Sequence, residues 1–369
     1  MKTNPLNLPR CGIFQAGEIK TAEIPWQTGA TGPHPGSEDK LNLSGSACFL
    51  CGVPLAPKHG AKNEDTGEDV FAQWMQRRFD LAHLPVTLSD DSIRMYSEVL
   101  IPCCAECNGT YLSRAEDRIK NALTEGGFSR LTKLRKADIF LWCAKIYYAL
   151  VHLEVKPRHP KTKAPLAPTL PAYRLEDLRF LLRLLQGLRK RVFIFGPAEP
   201  PFSVLLFRLH TGRDRGAYFH IRLCTVIPAI ALELGGVGII CTFDDFSQIE
   251  AWYKQEYTQA LSSKTLHPDQ FWELAGRAFY HSYVTPLAIS MACVEGAKDV
   301  HLDLLVRPDR GPKFNPEEEA QWIQQVTKAP KGFFWNAQTG EQRTVLKTLE
   351  NKFHEIPFAD ISGEEKPEG

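Results

Sequence analysis

The 369-residue chain has almost no net charge, with 44 Lys and Arg against 43 Asp and Glu and a formal +1. Attraction to a polyanion must therefore come from where the charges sit and not from their total. No uncharged run reaches the roughly 20 residues that span a bilayer, and the N-terminal stretch MKTNPLNLPRCGIFQAGEIK has no apolar core of signal-peptide length. A cytoplasmic protein without a membrane partner is expected. Neither a repeat of solenoid period nor an interpretable low-complexity tract is present. The C-terminal half lacks GxSxG, GxxxxGK[ST], HExxH and a GxGxxG after a strand, so hydrolase-elbow, P-loop, zincin and dinucleotide readings have no support. What is there, 43% hydrophobic and 24% charged residues, lies in the globular range and leaves room for two or three domains.

Residues 1–45 are rich in Pro, Gly, Thr and Ser without periodicity and read as an irregular arm. A helix is expected over Ser113 to Leu123, where Ser113 and Glu116 have capping-box spacing. ADIFLWCAKIYYALVHLE, from Ala137 to Glu154, is apolar on almost every side and suits a helix buried between two parts of the protein. Eight of the 26 prolines fall between Pro157 and Pro201, flanking a helical pattern from Tyr173 to Arg191, and such punctuation marks a domain junction. Beyond it, Phe202 to His210 and Ala217 to Leu223 flank TGRDRG as a candidate hairpin. Gly235 and Gly236 supply a tight turn between two apolar strands. Helices are expected from Phe246 to Leu261 and from Pro268 to Tyr283. The whole reads as an α+β protein: arm 1–45, zinc-ribbon ββα-metal finger 46–127, basic helical connector 128–191, mixed sheet-and-helix C-terminal domain 192–310 and extension 311–369.

Five of the ten cysteines lie in two groups, Cys48 with Cys51, then Cys103, Cys104 and Cys107. In a chain read as cytoplasmic, clustered CxxC pairs favour metal over disulfide. Two knuckles of this spacing can close a tetrahedral cage of thiolates around a structural Zn²⁺. Cys48, Cys51, Cys104 and Cys107 are the candidate ligands, because Cys103 lacks the two-residue gap to Cys107. Gly52 and Asn108 follow the knuckles as turn formers, and free buried thiols are the alternative.

TGEDVFAQWMQRRF (Thr66 to Phe79) and IPCCAECNGTYLSRAEDRI (Ile101 to Ile119) extend the pattern. Together with the first knuckle, these segments resemble the zinc-ribbon branch of the HNH, or His-Me finger, nucleases over about 80 residues. The resemblance implies metal-dependent hydrolysis of DNA phosphodiesters, with Mg²⁺ or Mn²⁺ as the catalytic cation. Glu68 matches the acidic residue before the family's His, Asn108 its central Asn, and Glu116 or Asp117 the region of its last ligand. Asp69 stands where the family places its general-base His, and Ala72 where it usually has Pro. A carboxylate with an ordinary pKa near 3.9 is a weaker base at neutral pH than an imidazole near 6.5, so a ligand role suits Asp69. His59 and His83 are the nearby imidazoles. The resemblance further implies a bacterial defence setting with a companion protein. A zinc-folded binding module without catalysis is the alternative, and a protein-interaction module a third.

Charge is segregated along the chain: Tyr111 to Arg191 holds 18 Lys and Arg against 7 Asp and Glu. Such a segment suits a phosphate backbone, duplex DNA first. Arg77, Arg78, Arg130 to Lys136, Lys156, Arg158, Lys161, Lys163 and Arg189 to Arg191 are the candidate contacts. His210, Asp214 and His220 surround the TGRDRG loop, where polar residues at a hairpin end are ordinary.

Overall fold

One sheet with apolar residues on both faces organises the C-terminal half. The computed structural model describes residues 46–56, 61–87, 93–154, 172–211, 218–224, 226–257, 264–330, 333–336 and 338–346. The expected arm, His59, the basic residues from Lys156 to Lys163, Asp214 and the end of the chain lie outside them.

The elements in chain order begin with β1 (Glu68–Asp69), α1 (Gln73–Arg78), β2 (Pro85–Thr87), β3 (Ile93–Met95) and β4 (Leu100–Ile101). A π-helical turn, Cys107–Leu112, runs into α2 (Ser113–Glu125), followed by α3 (Phe128–Leu131), α4 (Lys136–Glu154) and α5 (Ala172–Leu185). Then come β5 (Arg191–Phe195), β6 (Ser203–Leu209), β7 (Phe219–Cys224), β8 (Ala229–Leu234), β9 (Val237–Thr242), α6 (Gln248–Glu256) and β10 (Thr265–Leu266). The chain closes with α7 (Pro268–Val284), β11 (Leu287–Glu295), β12 (Asp299–Pro308), α8 (Pro316–Thr327), β13 (Trp335–Asn336) and β14 (Glu341–Gln342). The architecture is mixed α+β, and no described helix is long and apolar enough to cross a membrane.

The main sheet has the order β10-β6-β9-β8-β7, antiparallel except for the parallel β10 pair. Val204, Ile230, Leu232, Ile239 and Cys241 face a core shared with α4, where Phe140 stacks on Phe202 at 4.1 Å. Their strand neighbours Leu205, Phe207, Ala229, Ala231 and Ile240 face a second core under α7. Covering both faces removes the apolar/polar alternation that normally marks a half-exposed strand. That is why the alternation in the sequence is imperfect. Gly238 admits α7 to the sheet, because a Cβ there would lie 2.5 Å from the Phe271 ring.

The sheet corrects one expectation and keeps another. β6 and β7 are not a hairpin: β9 and β8 lie between them. The β8–β9 hairpin does turn on Gly235 and Gly236, with Gly235 at φ 62°. The helical pattern through Arg191 stops at a 3₁₀ turn over Gln186–Leu188, and β5 follows. β5 joins a second sheet, β11-β12-β5. α4 is buried as its composition required, and the core it anchors is continuous from Cys48 to Leu304, across the segments expected to form finger, connector and C-terminal domain.

Two half-buried imidazoles give this half an acid-sensitive point. Burial first, then Arg222 and Lys328, depress His220 to about 3, with its ring 4.9 Å from Trp272. Burial and Arg277 depress His281 to about 4, with its ring 4.3 Å from Trp252. Each folded value lies below the ordinary 6.5, so the contribution is full above pH 6.5 and is lost as pH falls towards 4 and 3. Between pH 7 and pH 5 each imidazole is expected to cost about 1–2 kcal/mol of stability. Urea unfolding at the two pH values should show a smaller drop for His220→Gln/His281→Gln than for wild type.

Candidate metal centre and adjoining acidic cleft

Gly52, at φ 72°, turns the first knuckle, and its N–H donates to the Cys48 carbonyl at 2.8 Å. The second knuckle opens the π-helical turn, so its sulfurs are fixed by the start of a helix. Phe49 N–H donates to Pro102 O at 2.9 Å, which brings the knuckles together. The ligand atoms of Cys48, Cys51, Cys104 and Cys107 all lie within 4.8 Å of one another. Cys51 Sγ and Cys104 Sγ are 3.7 Å apart, too far for a disulfide. The spacing matches the edge of a sulfur tetrahedron, about 3.8 Å for four bonds of about 2.3 Å. Cys107 N–H points at Cys104 Sγ from 3.5 Å, the kind of donor that tempers thiolate charge. The cluster can therefore hold a metal such as zinc, and among the described residues it is the one group of three or more potential ligands this close. Cys103 packs beside it, Sγ 3.9 Å from Cys48 Sγ, outside the group of four.

β1 pairs antiparallel with β4, Glu68 opposite Ile101 and Asp69 opposite Leu100, and α2 follows the second knuckle. A cleft of about 650 Å³ opens beside this ββα unit. It is lined among others by Thr66, Glu68, Asp69, Asn108 and Glu116, with Arg77, Arg78 and Lys120 as its cations. The Asn108 side-chain amide donates to Gly67 O and, at 3.1 Å, to Thr66 Oγ1. It ties the π-helical turn before α2 to the loop that delivers β1.

The acids divide into two environments. Lys145, on α4 and 3% exposed, places Nζ 2.6 Å from Glu68 Oε1 and 2.8 Å from Glu116 Oε1. The same ammonium donates to Asp69 O at 2.7 Å and lies 3.3 Å from Val70 O. Burial alone would lower its pKa, but Glu116 and Glu68 hold it charged, above the ordinary lysine range. Burial pushes Glu68 up against the pull of Lys145. A carboxylate pair out of water needs a counter-ion, and here the protein supplies one. Asp69 is different. Its carboxylate lines the cleft, its described side-chain contact is Gln76 Nε2 at 3.5 Å, and no described Lys or Arg forms an ion pair with it.

Several expectations change accordingly. Glu116 does not form a capping box with Ser113: the helix is already running there, and Ser113 Oγ bonds Gly109 O at 2.7 Å. Asp117, one residue and about 100° further round the helix, is exposed and does not line the cleft. His83 is exposed, and no histidine lines the cleft among the described residues. Part of the basic segment is already paired with acids: Arg118 and Arg135 with Asp138, Lys136 with Glu250, Lys190 with Glu295. Lys145 and Lys120 were not singled out from the sequence. The signal for Lys145 was a lone cation inside an all-round apolar helix, which demands a buried partner. Comparisons with protein families, curated proteins and solved structures find no match.

Proposed function

We propose that this chain is a metal-dependent HNH-type endonuclease that cleaves DNA phosphodiesters in the cleft beside β1. One observation carries the reading: Asp69, a carboxylate without a cationic partner among the described residues, shares the cleft with Arg77, Arg78 and Lys120 beside the loop that Asn108 pins. Magnesium-type sites commonly use one or two carboxylates, with water and substrate phosphate completing the shell, and Asp69 fits that need. Glu68 and Glu116 suit it less, since both are already engaged by the Lys145 ammonium. A divalent cation at Asp69 would offset the charge that builds on the scissile phosphate and leaving oxygen. Asn108 holds the Thr66–Gly67 loop in register, Lys145 fixes the Asp69 backbone, and the cleft cations bind flanking phosphates. The resemblance of the two knuckle segments supports DNA as substrate and adds a defence setting with a companion protein.

A second reading, binding without cleavage, is favoured by the engagement of two of the expected acids with Lys145. Supercoiled plasmid with Mg²⁺ or Mn²⁺ separates the two. Nicking is expected for wild type and a loss of at least about 100-fold for Asp69→Ala, the scale of a removed charge-stabilising group. Asn108→Ala should lose roughly 10- to 100-fold, as expected when a positioning group is cut away. Salt-sensitive DNA retention without nicking would select the binding reading, and nicking that survives both substitutions would refute the site.

A further inference from the structure

The cations of the cleft do not end at its rim. On α2, Glu116, Lys120 and Thr124 recur at every fourth residue, so they share one face and span about 12 Å of helix. Glu116 and Lys120 line the cleft, and Arg78, which lines it from α1, reaches Thr124 Oγ1 at 3.5 Å. Past Thr124 the chain turns into α3 at Gly126 and Gly127, the latter at φ 54°. There the Arg208 guanidinium, arriving on β6, lies over the Phe128 ring, with Cζ 5.3 Å from the centroid. A cation from the C-terminal half thus stands just beyond the end of the helix that brings Glu116 and Lys120 to the cleft.

The pairing of these cations points to their partner. Arg78, Lys120, Lys133 and Arg208 are exposed and form no ion pair among the described residues, whereas Arg118, Arg130, Arg135 and Lys136 do. Glu125, the acid next to Thr124, is engaged by Arg130 at 3.8 Å. Arg208 is the one exposed residue of β6, on a strand otherwise given to the core. Stacking occupies a face of its guanidinium and leaves the N–H edge for a phosphate. A row of open cations leading away from a cleft is completed by a polyanion, which releases counterions as it binds. We infer that duplex DNA seated in the cleft continues along α2 and that Arg208 binds one of its phosphates. The inference takes its substrate from the nuclease reading and stands equally if the cleft binds without cutting.

Binding is measured apart from cutting, by fluorescence anisotropy of a labelled duplex of about 30 base pairs, about three helical turns, with the full chain and no added Mg²⁺ or Mn²⁺. Arg208→Ala should weaken binding about 3- to 10-fold at about 0.1 M salt and reduce the salt slope of the affinity by about one phosphate contact. Arg208→Lys, which keeps the charge, should keep the slope. Arg307→Ala, which removes an exposed cation of β12, should change neither. A wild type that binds with a salt slope untouched by Arg208→Ala overturns this inference and leaves plasmid nicking to judge the cleft. Equal losses in Arg208→Ala and Arg307→Ala overturn it as well, since they would report net charge alone. A wild type that binds no duplex overturns both the inference and the nuclease reading. Displacement by poly-glutamate as readily as by unlabelled duplex would overturn it in favour of an acidic protein.

Discussion

Purified wild-type protein is expected to carry one zinc per chain, Cys104→Ser to lose it, and Cys103→Ser to keep it. The first result follows from four sulfurs within 4.8 Å of one another, all from knuckles whose turns are fixed by backbone bonds. The contrast between neighbours follows from geometry, since Cys103 touches Cys48 from outside the group of four. The effect should extend beyond the metal. Cys48, Cys104 and Cys107 belong to the core that also holds Phe49, Val70 and Ile101. In zinc-folded modules the binding free energy is folding free energy, so loss of a ligand should cost at least about 5 kcal/mol locally. Elemental analysis with thermal melts of the three proteins checks both parts. Retention of zinc by Cys104→Ser with loss by Cys103→Ser would reverse the ligand assignment, and a metal-free wild type would remove the centre altogether.

Lys145→Met should be strongly destabilising. It removes the ammonium between the buried Glu68 and the partly buried Glu116 and leaves the two carboxylates facing one another. Breaking a buried ionic group by deleting one partner costs about 3–5 kcal/mol, most of it the uncompensated charge left behind. The loss should therefore be largely recovered in Lys145→Met/Glu68→Gln/Glu116→Gln, which removes the charges together. Urea unfolding of the single and triple variants measures both. A loss below about 1 kcal/mol in the single variant, within the range of surface substitutions, would show that the carboxylates find another counter-charge. The ammonium also holds the Asp69 carbonyl, so the triple variant asks whether β1 keeps its place when stability is restored.

Elements set by local chemistry were legible. Pro268 opens α7, Gly235 and Gly236 make the hairpin turn, and the CxxC spacing names its sulfurs. Strand partners were not legible. β6 finds β9 across the β7–β8 hairpin, and with both sheet faces buried no alternation remained to report register. The acids of the cleft show the same division. Glu68, Asp69 and Glu116 were visible as carboxylates near a knuckle, but their roles depend on Lys145, which arrives from α4.

By itself the sequence determined which residues could turn or offer a thiolate, because those properties reside within a few bonds of each side chain. Only the tertiary structure decided which charges are already neutralised and which remain open to a ligand. A charge is balanced by whatever lies within a few ångströms in space, and for Glu68 and Glu116 that is a lysine from a helix well along the chain. For Asp69, no described cation of the protein takes that place.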